Sequence, residues 1–453
     1  MQPLPKEFEE QMKRLLGEAG FFAYLDALNQ PYTRALRVNL LLRPDGTPPC
    51  PIEGLGAPVP WAKGAYFVEG DARPGLSPLH EGGLFYMQEP SALTAVTALD
   101  PQPGERVLDL CAAPGGKSTQ IAALMAGRGL LCCNEPIPSR AQILSRNIER
   151  MGVRNAVVLS AMPDALAPRF PAFFDRILVD APCSGEGMFR RQPEARDEWD
   201  ADAPRRCADR QMEILAQAAK MLRPGGTMVY STCTFNDTEN EGVLRRFLAL
   251  HPEFSLVPFA LPGLPKAKDG YLHLYPHEMR GEGHFVSRLK KADGADEADA
   301  PVQAAPQRKA PARAAAKGKA PAPIALPDVF SDAFAPERLY TAGDALWMLP
   351  EGISIERLSG LRVLRTGLLL AHAEGKRSEP DHALAMALRP EEAARTAILT
   401  QTQALAYQAG ETLSLGDLPG GYTLLCCEGV SLGWGKQAGG LMKNHYPKGL
   451  RRR

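Results

Sequence analysis

Two cysteines fifty positions apart carry the strongest chemical signal in this chain: Cys183 in ILVDAPCSGEG and Cys233 in MVYSTCTFN, each just past an apolar run and each followed by a small hydroxylated residue. In such a pair one thiol can attack an electron-poor carbon while the other assists release of the adduct. Strand ends flanked by Pro, Ser, Thr and Gly are poor packing sites, which separates these two from cysteines that only fill a core. With the segment VLDLCAAPGGKS at 107–118, which looks like a nucleotide-binding turn after a strand, they point to alkylation of a pyrimidine through a covalent cysteine adduct.

In that segment the strand ends at Leu110, and Pro114-Gly115-Gly116 lets the backbone turn beside a ligand before a helix begins near Ser118. A glycine has no Cβ to block close approach. GxGxxG and GxxxxGK[ST] are both absent, which disfavours a pyrophosphate or triphosphate ligand. Glu135 ends the second strand about twenty residues on, where an acidic side chain can accept hydrogen bonds from both hydroxyls of a ribose. Asp164 follows the third strand and can meet an adenine amino group.

The elements that must position these residues follow from periodicity. From Arg106 the chain repeats strand, turn, helix: RVLDL, a helix from Ser118, LLCCN, a helix at 138–151, AVVLS, RILVD, a long helix near 208–222, and TMVYS. Apolar strands alternating with helices imply a parallel sheet covered on both faces. Its C-terminal strand ends gather Cys111, Glu135, Asp164, Asp180 and Cys233 on one edge, where ligands bind in open α/β sheets. Before it, helices over 5–29 with a glycine break, an alternating strand at 34–42 and a strand entering a helix at 85–99 read as an α+β module over 1–99. The catalytic domain spans 100–289. Residues 290–325, dominated by Ala, Pro, Lys and Arg, read as a disordered linker, and 326–453 as a compact, mostly β domain with a basic end, KNHYPKGLRRR.

The 453 residues hold 52 basic and 52 acidic side chains, so any affinity for nucleic acid comes from local patches. Nine cysteines without CxxC spacing argue against a disulfide framework, and no metal is expected. Cys132-Cys133 and Cys426-Cys427 lie in apolar stretches and read as packed free thiols. With no apolar run of about 18 residues, a soluble, cytoplasmic monomer that does not engage membranes is expected.

DLCAAPGGKS, DAPCSGEG and YSTCT resemble the signature motifs of the RNA cytosine-C5 methyltransferases. The extended DAPCSGEGMFRR and the terminal GWGKQAGGLMKNHYPKGLR resemble the bacterial 16S ribosomal RNA methyltransferase F group, and the similarity covers nearly the whole chain apart from the linker. The resemblance implies a Rossmann-like catalytic domain, an RNA-binding N-terminal module, a PUA-like RNA-binding C-terminal domain, S-adenosylmethionine as cofactor and 16S ribosomal RNA or the small-subunit particle as partner. It places Cys111, Ala112, Ala113, Pro114, Gly115, Gly116 and Lys117 around S-adenosylmethionine, with Glu135 on the ribose, Asp164 near the adenine and Asp180 on the side of the methionine and target base. It makes Cys233 the nucleophile and Cys183 the thiol that assists breakdown of the adduct. Asp180 is then placed to bond the N3/N4 edge of cytosine, favouring it over uracil, and Lys117 to supply a positive field for the thiolate.

Three further readings concern RNA contact. Arg190 and Arg191 adjoin the Cys183 loop and read as phosphate grips. Trp434, His445 and Tyr446 are aromatic candidates for base stacking or for the core. Transfer RNA as substrate, and a non-catalytic ribosome-assembly module, stand as alternatives; a DNA methyltransferase fits less well, because its pattern has a single Pro-Cys nucleophile.

Overall fold

The computed structural model describes residues 3–294, 324–375 and 377–452. Six strands form the frame of the site: β1 (Arg106–Asp109), β2 (Leu130–Asn134), β3 (Ala156–Leu159), β4 (Phe174–Asp180), β5 (Leu222–Thr232) and β6 (His284–Lys291). β1 to β5 pair in parallel in the order β5-β4-β1-β2-β3, and β6 runs antiparallel beside β5. Helices α1 (Gly116–Leu124), α2 (Pro138–Arg150) and α3 (Ala203–Met221) make crossovers. Both faces are covered, so every residue of β2 and β3 is buried. Cys132 and Cys133 show the pleat directly, because successive side chains enter the two different cores.

The parallel pairing of β4 with β5 sets Asp180 opposite Ser231. Cys183 lies three residues past the first and Cys233 two past the second, so register alone delivers both loops to one place. Outside β6 the sheet gains Phe254–Leu256 and Tyr271–Leu274. At its other edge Val363–Arg365 pairs antiparallel with β3, so a segment far along the chain completes the nine-stranded catalytic sheet. Arg365, 4% exposed, ties this strand down by an ion pair with Glu149 of α2.

The N-terminal helix Lys6–Leu28 breaks at Gly17, whose φ of 68° suits a residue without a Cβ. Its Phe8, Met12, Phe21, Tyr24 and Leu28 share a core with Phe189, Trp199 and Phe235, residues that follow Cys183 and Cys233. Behind it a four-stranded antiparallel sheet includes Arg34–Val38, shorter than the expected 34–42 and buried on both sides instead of alternating. The C-terminal residues build two four-stranded sheets, one over 339–380 and one over 396–444. The second shares a core with the N-terminal module, in which Leu36, Val38, Leu79 and Phe85 meet Leu425, Cys427, Val430 and Leu432. β6 continues through Lys291, into the first residues of the expected linker; 295–323 of that linker lie outside the described residues. Among the described residues no helix is long and apolar enough to cross a membrane.

Candidate active site

At the C-terminal edge of the sheet the two sulfurs stand 3.3 Å apart, Cys183 Sγ against Cys233 Sγ, and both cysteines are free thiols. The hydrogen bond to Cys233, with burial second, pushes the Cys183 thiol well above its ordinary range and keeps it protonated. Next to them Lys117 Nζ donates to Asp180 Oδ2 at 2.8 Å, and Ser231 Oγ donates to Asp180 Oδ1 at 2.8 Å. Burial alone would raise the Asp180 carboxyl, but Lys117 and His284 beside it win and hold it well below the carboxylate range. Burial likewise works against the Lys117 ammonium, and Asp180, with a further contribution from Cys233, more than offsets it. Asp180 and Lys117 are therefore an ionised pair beside the thiols.

A polar network absent from the sequence reading clamps the cysteine loops. Glu186, fully buried, accepts from the backbone N–H groups of Phe235 (2.8 Å) and Asn236 (3.0 Å), from Asn236 Nδ2 (3.1 Å) and from Gln11 Nε2 of the N-terminal helix (2.9 Å). Glu239 accepts from Ser184 N (3.0 Å), Asn236 Nδ2 (2.8 Å) and Gln211 Nε2 (2.8 Å). Burial pushes the Glu239 carboxyl up, against hydrogen bonds that favour its charge. Gly187 N donates to Cys233 O at 2.8 Å, and a Cβ at Gly187 would stand 2.9 Å from that oxygen. TFNDTEN, the polar run directly after Cys233, carries part of the signal for this network.

The turn Cys111–Lys117 leads from β1 into α1. Ala112 N donates to Asn134 O at 2.8 Å, while Arg140 Nη2 and Asn147 Nδ2 of α2 donate to the carbonyls of Ala113 and Pro114 at 3.2 and 2.9 Å. Gly115 has a φ of 115°, and a Cβ there would meet Leu144 and Asn147 of α2 at 3.2 and 3.3 Å. A Cβ on Gly116 would meet Tyr86 and Gln88. The glycines thus admit neighbouring protein on this side of the turn. Cys111 is half-buried; burial, and then the nearby Asp109, Asp180 and Glu135, push its thiol far up, so it is a poor nucleophile.

Glu135 is 2% exposed, yet among the described residues its carboxylate holds only Ile137 N at 3.0 Å and a half-exposed Arg140 at 3.3 Å. That leaves acceptor capacity for sugar hydroxyls. Asp164 sits exposed in the first turn of the short helix Pro163–Leu166 beyond β3.

The arginines after Cys183 divide. Arg190 makes a bidentate pair with Glu282 at 2.7 Å for each contact, with side chains 7% and 2% exposed. It also donates to Ala27 O and Gly281 O, so it is a structural anchor and not the expected phosphate grip. Arg191 is exposed. Trp434 and Tyr446 belong to the C-terminal cores, Trp434 Nε1 donating to Asp381 O at 2.8 Å; His445 stands edge-on to Tyr422. Part of the basic end is also spent internally, since Arg452 donates to Leu76 O and Ser77 O.

Residues 4–90 match the N-terminal domain of 16S rRNA methyltransferase RsmF, 96–290 match 16S rRNA methyltransferase RsmB/F, 327–388 match the RsmF rRNA methyltransferase first C-terminal domain, and 395–452 match the methyltransferase RsmF PUA domain. A solved methyltransferase homologue protein from Pyrococcus horikoshii is 30% identical, with a TM-score of 0.53 over 63% of this chain and 95% of that one. The ribosomal RNA small subunit methyltransferase F of Erwinia tasmaniensis is 34% identical over 98% of this chain and 96% of its own, and the protein of that name from Escherichia coli O127:H6 is 34% identical with the same coverage. With this identity from end to end, and with matches to each of the family's domains, the chain belongs to the ribosomal RNA small subunit methyltransferase F family.

Proposed function

We propose that this protein transfers a methyl group from S-adenosylmethionine to carbon 5 of a cytosine in 16S ribosomal RNA through a covalent bond between Cys233 and carbon 6. The observation that carries the reading is the pair of thiols 3.3 Å apart beside an ionised Asp180–Lys117 pair. The names of the relatives supply the substrate class.

Carbon 5 of cytosine is a poor nucleophile while the ring is aromatic. Addition of the Cys233 thiolate to C6 breaks the C5–C6 double bond and turns C5 into an enamine carbon; after methylation, loss of the C5 proton and expulsion of the thiolate restore the ring. S-adenosylmethionine supplies an electrophilic sulfonium methyl. Lys117 sets a positive field near Cys233, the sulfur that attacks. Asp180, ionised, accepts from the N4 amino group, where uracil offers only an acceptor. Cys183, held as a thiol, stands against the attacking sulfur and assists its departure.

The residues present fit the cofactor. The turn Cys111–Lys117 carries the backbone groups, Glu135 the acceptor capacity for a ribose, Asp164 an exposed carboxylate for the adenine amino group, and Asp180 the side facing the methionine. RNA contact outside the catalytic domain falls to the N-terminal module and to residues 326–453.

The test separates the cysteines. Cys233→Ala should give neither methyl transfer nor adduct, whereas Cys183→Ala should accumulate a denaturant-resistant protein–RNA adduct on gels. An adduct in Cys233→Ala that is absent from Cys183→Ala would invert the assignment. Full activity in both would end covalent catalysis.

A further inference from the structure

We propose that His284 is a positioning residue for Asp180, its Nε2–H holding carboxylate oxygen Oδ1 in the orientation that meets the target base; this rests on the reading of Asp180 given above. His284 opens β6 at 2% exposure, and the register of the next residue, Phe285 against Thr232, sets it beside the strand end that carries Cys233. The turn before it fixes this placement. Gly283 has a φ of 105°, and a Cβ there would lie 2.5 Å from the Phe235 ring.

Neither ring nitrogen of His284 has a hydrogen-bond partner among the described residues, although both are buried. Buried polar groups are normally satisfied, and a phenylalanine would fill the same volume without that cost. A polar ring in this place is therefore explained by what it meets when the site is in use. Nε2 stands 3.5 Å from Asp180 Oδ1, a few tenths of an ångström beyond a formed hydrogen bond. Catalytic hydrogen bonds are often long before substrate arrives and tighten in the complex.

The surroundings leave Asp180 as the partner. Among the described residues Asp180 is the carboxylate within ion-pair distance of His284, held from its other side by Lys117, while Glu282, two residues before His284, is committed to Arg190. With Lys117 on Oδ2 and Ser231 on Oδ1, a donor from His284 gives the carboxylate three fixed contacts and one orientation. A carboxylate fixed before the base arrives loses less freedom when it binds, and the difference is realised in the rate of the chemical step.

The experiment measures methyl transfer from tritiated S-adenosylmethionine to small subunits, and to RNA extracted from them, taken from a strain lacking this protein. His284→Phe should lower kcat by about tenfold to a hundredfold, the loss of one hydrogen bond to a charged acceptor, with KM for RNA and affinity for S-adenosylmethionine unchanged within about twofold. His284→Gln, whose amide nitrogen reaches the Nε2 position, should restore most of the rate. The shorter His284→Asn should not. A His284→Phe protein as active as wild type overturns the proposal, as does an equal loss in the Gln and Phe variants. Should the Phe variant fail to fold, equal rates for Gln and Asn overturn it. Wild-type protein inactive on both substrates would instead overturn the reaction reading, and His284's part with it.

Discussion

The turn Cys111–Lys117 and the loops carrying Cys183 and Cys233 reach the same edge of one sheet and are held there by opposite means. The turn is set by packing: Gly115 and Gly116 lie against α2 and the N-terminal sheet, and buried Arg37 donates to Gly116 O and Thr119 Oγ1 at 3.1 and 2.8 Å. The cysteine loops instead close around buried carboxylates, Glu186 and Glu239, each satisfied by three or four donors. Packing of apolar groups is non-directional, whereas hydrogen bonds to a charged acceptor are directional and short. The part of the site that must bring two sulfurs into contact is the part built from directional bonds, as a preorganised reaction centre requires.

The largest expected effect breaks the directional half. Glu186→Ala strands the buried backbone N–H groups of Phe235 and Asn236 and takes an acceptor from Asn236 Nδ2 and Gln11 Nε2, and should cost about 3 kcal/mol or more in stability, with loss of activity because both loops are released. Denaturant midpoints beside a methyl-transfer assay check this; a variant within about 0.5 kcal/mol of wild type would show that the loops are held by packing after all.

The packed half has its own buried carboxylate, left incompletely satisfied. Asp109 accepts from Ser118 Oγ at 2.7 Å while its Oδ1 is buried without a partner among the described residues. Burial, opposed by Ser118, moves its carboxyl from the ordinary 3.8 up to about 7. The folded state then holds a proton that the unfolded state has lost, so this group costs nothing below about pH 4 and destabilises increasingly as pH rises through 7. The penalty is on the order of 4 kcal/mol at pH 8. Asp109→Asn should remove that slope, so that its stability relative to wild type increases between pH 5 and pH 8; parallel curves would remove the assignment.

Gly115→Val sharpens the same comparison at smaller cost. A valine at a φ of 115° is strained and presses on Leu144 and Asn147, so stability should fall by about 1–3 kcal/mol together with affinity for S-adenosylmethionine. Calorimetry and thermal melting measured together decide between this and a purely local loss of affinity, which would leave the melting temperature unchanged.

Features set by local pattern were legible in the sequence. The alternation of strand, turn and helix from Arg106, the break at Gly17, the buried cysteine doublets and the loop positions of Cys183 and Cys233 follow from periodicity and neighbours. What escaped depends on distant partners. Glu186, Arg190 and His284 are polar residues whose burial follows from Gln11, Glu282 and Asp180, residues that local periodicity does not connect to them. Val363–Arg365 is three residues long, too short for periodicity to reveal, and its place beside β3 is a matter of tertiary pairing. For that reason removing residues 326–453 does not isolate RNA binding: it uncovers an edge of the catalytic sheet and the shared core of Leu36 and Leu425.

The smallest effect tests the exposed one of the two arginines in MFRR. Arg190 is committed to Glu282, so its removal is a stability experiment, whereas Arg191 next to it lies on the surface beside the catalytic loop. Arg191→Ala should leave stability within about 0.5 kcal/mol of wild type, as surface substitutions do. If its guanidinium meets a phosphate, RNA affinity should fall by a similar factor for every sequence tried, and the slope of log affinity against log salt should drop by about one. An unchanged slope would place the phosphate contacts of the catalytic edge elsewhere, and would leave the loop's second arginine, like its first, outside the recognition of RNA.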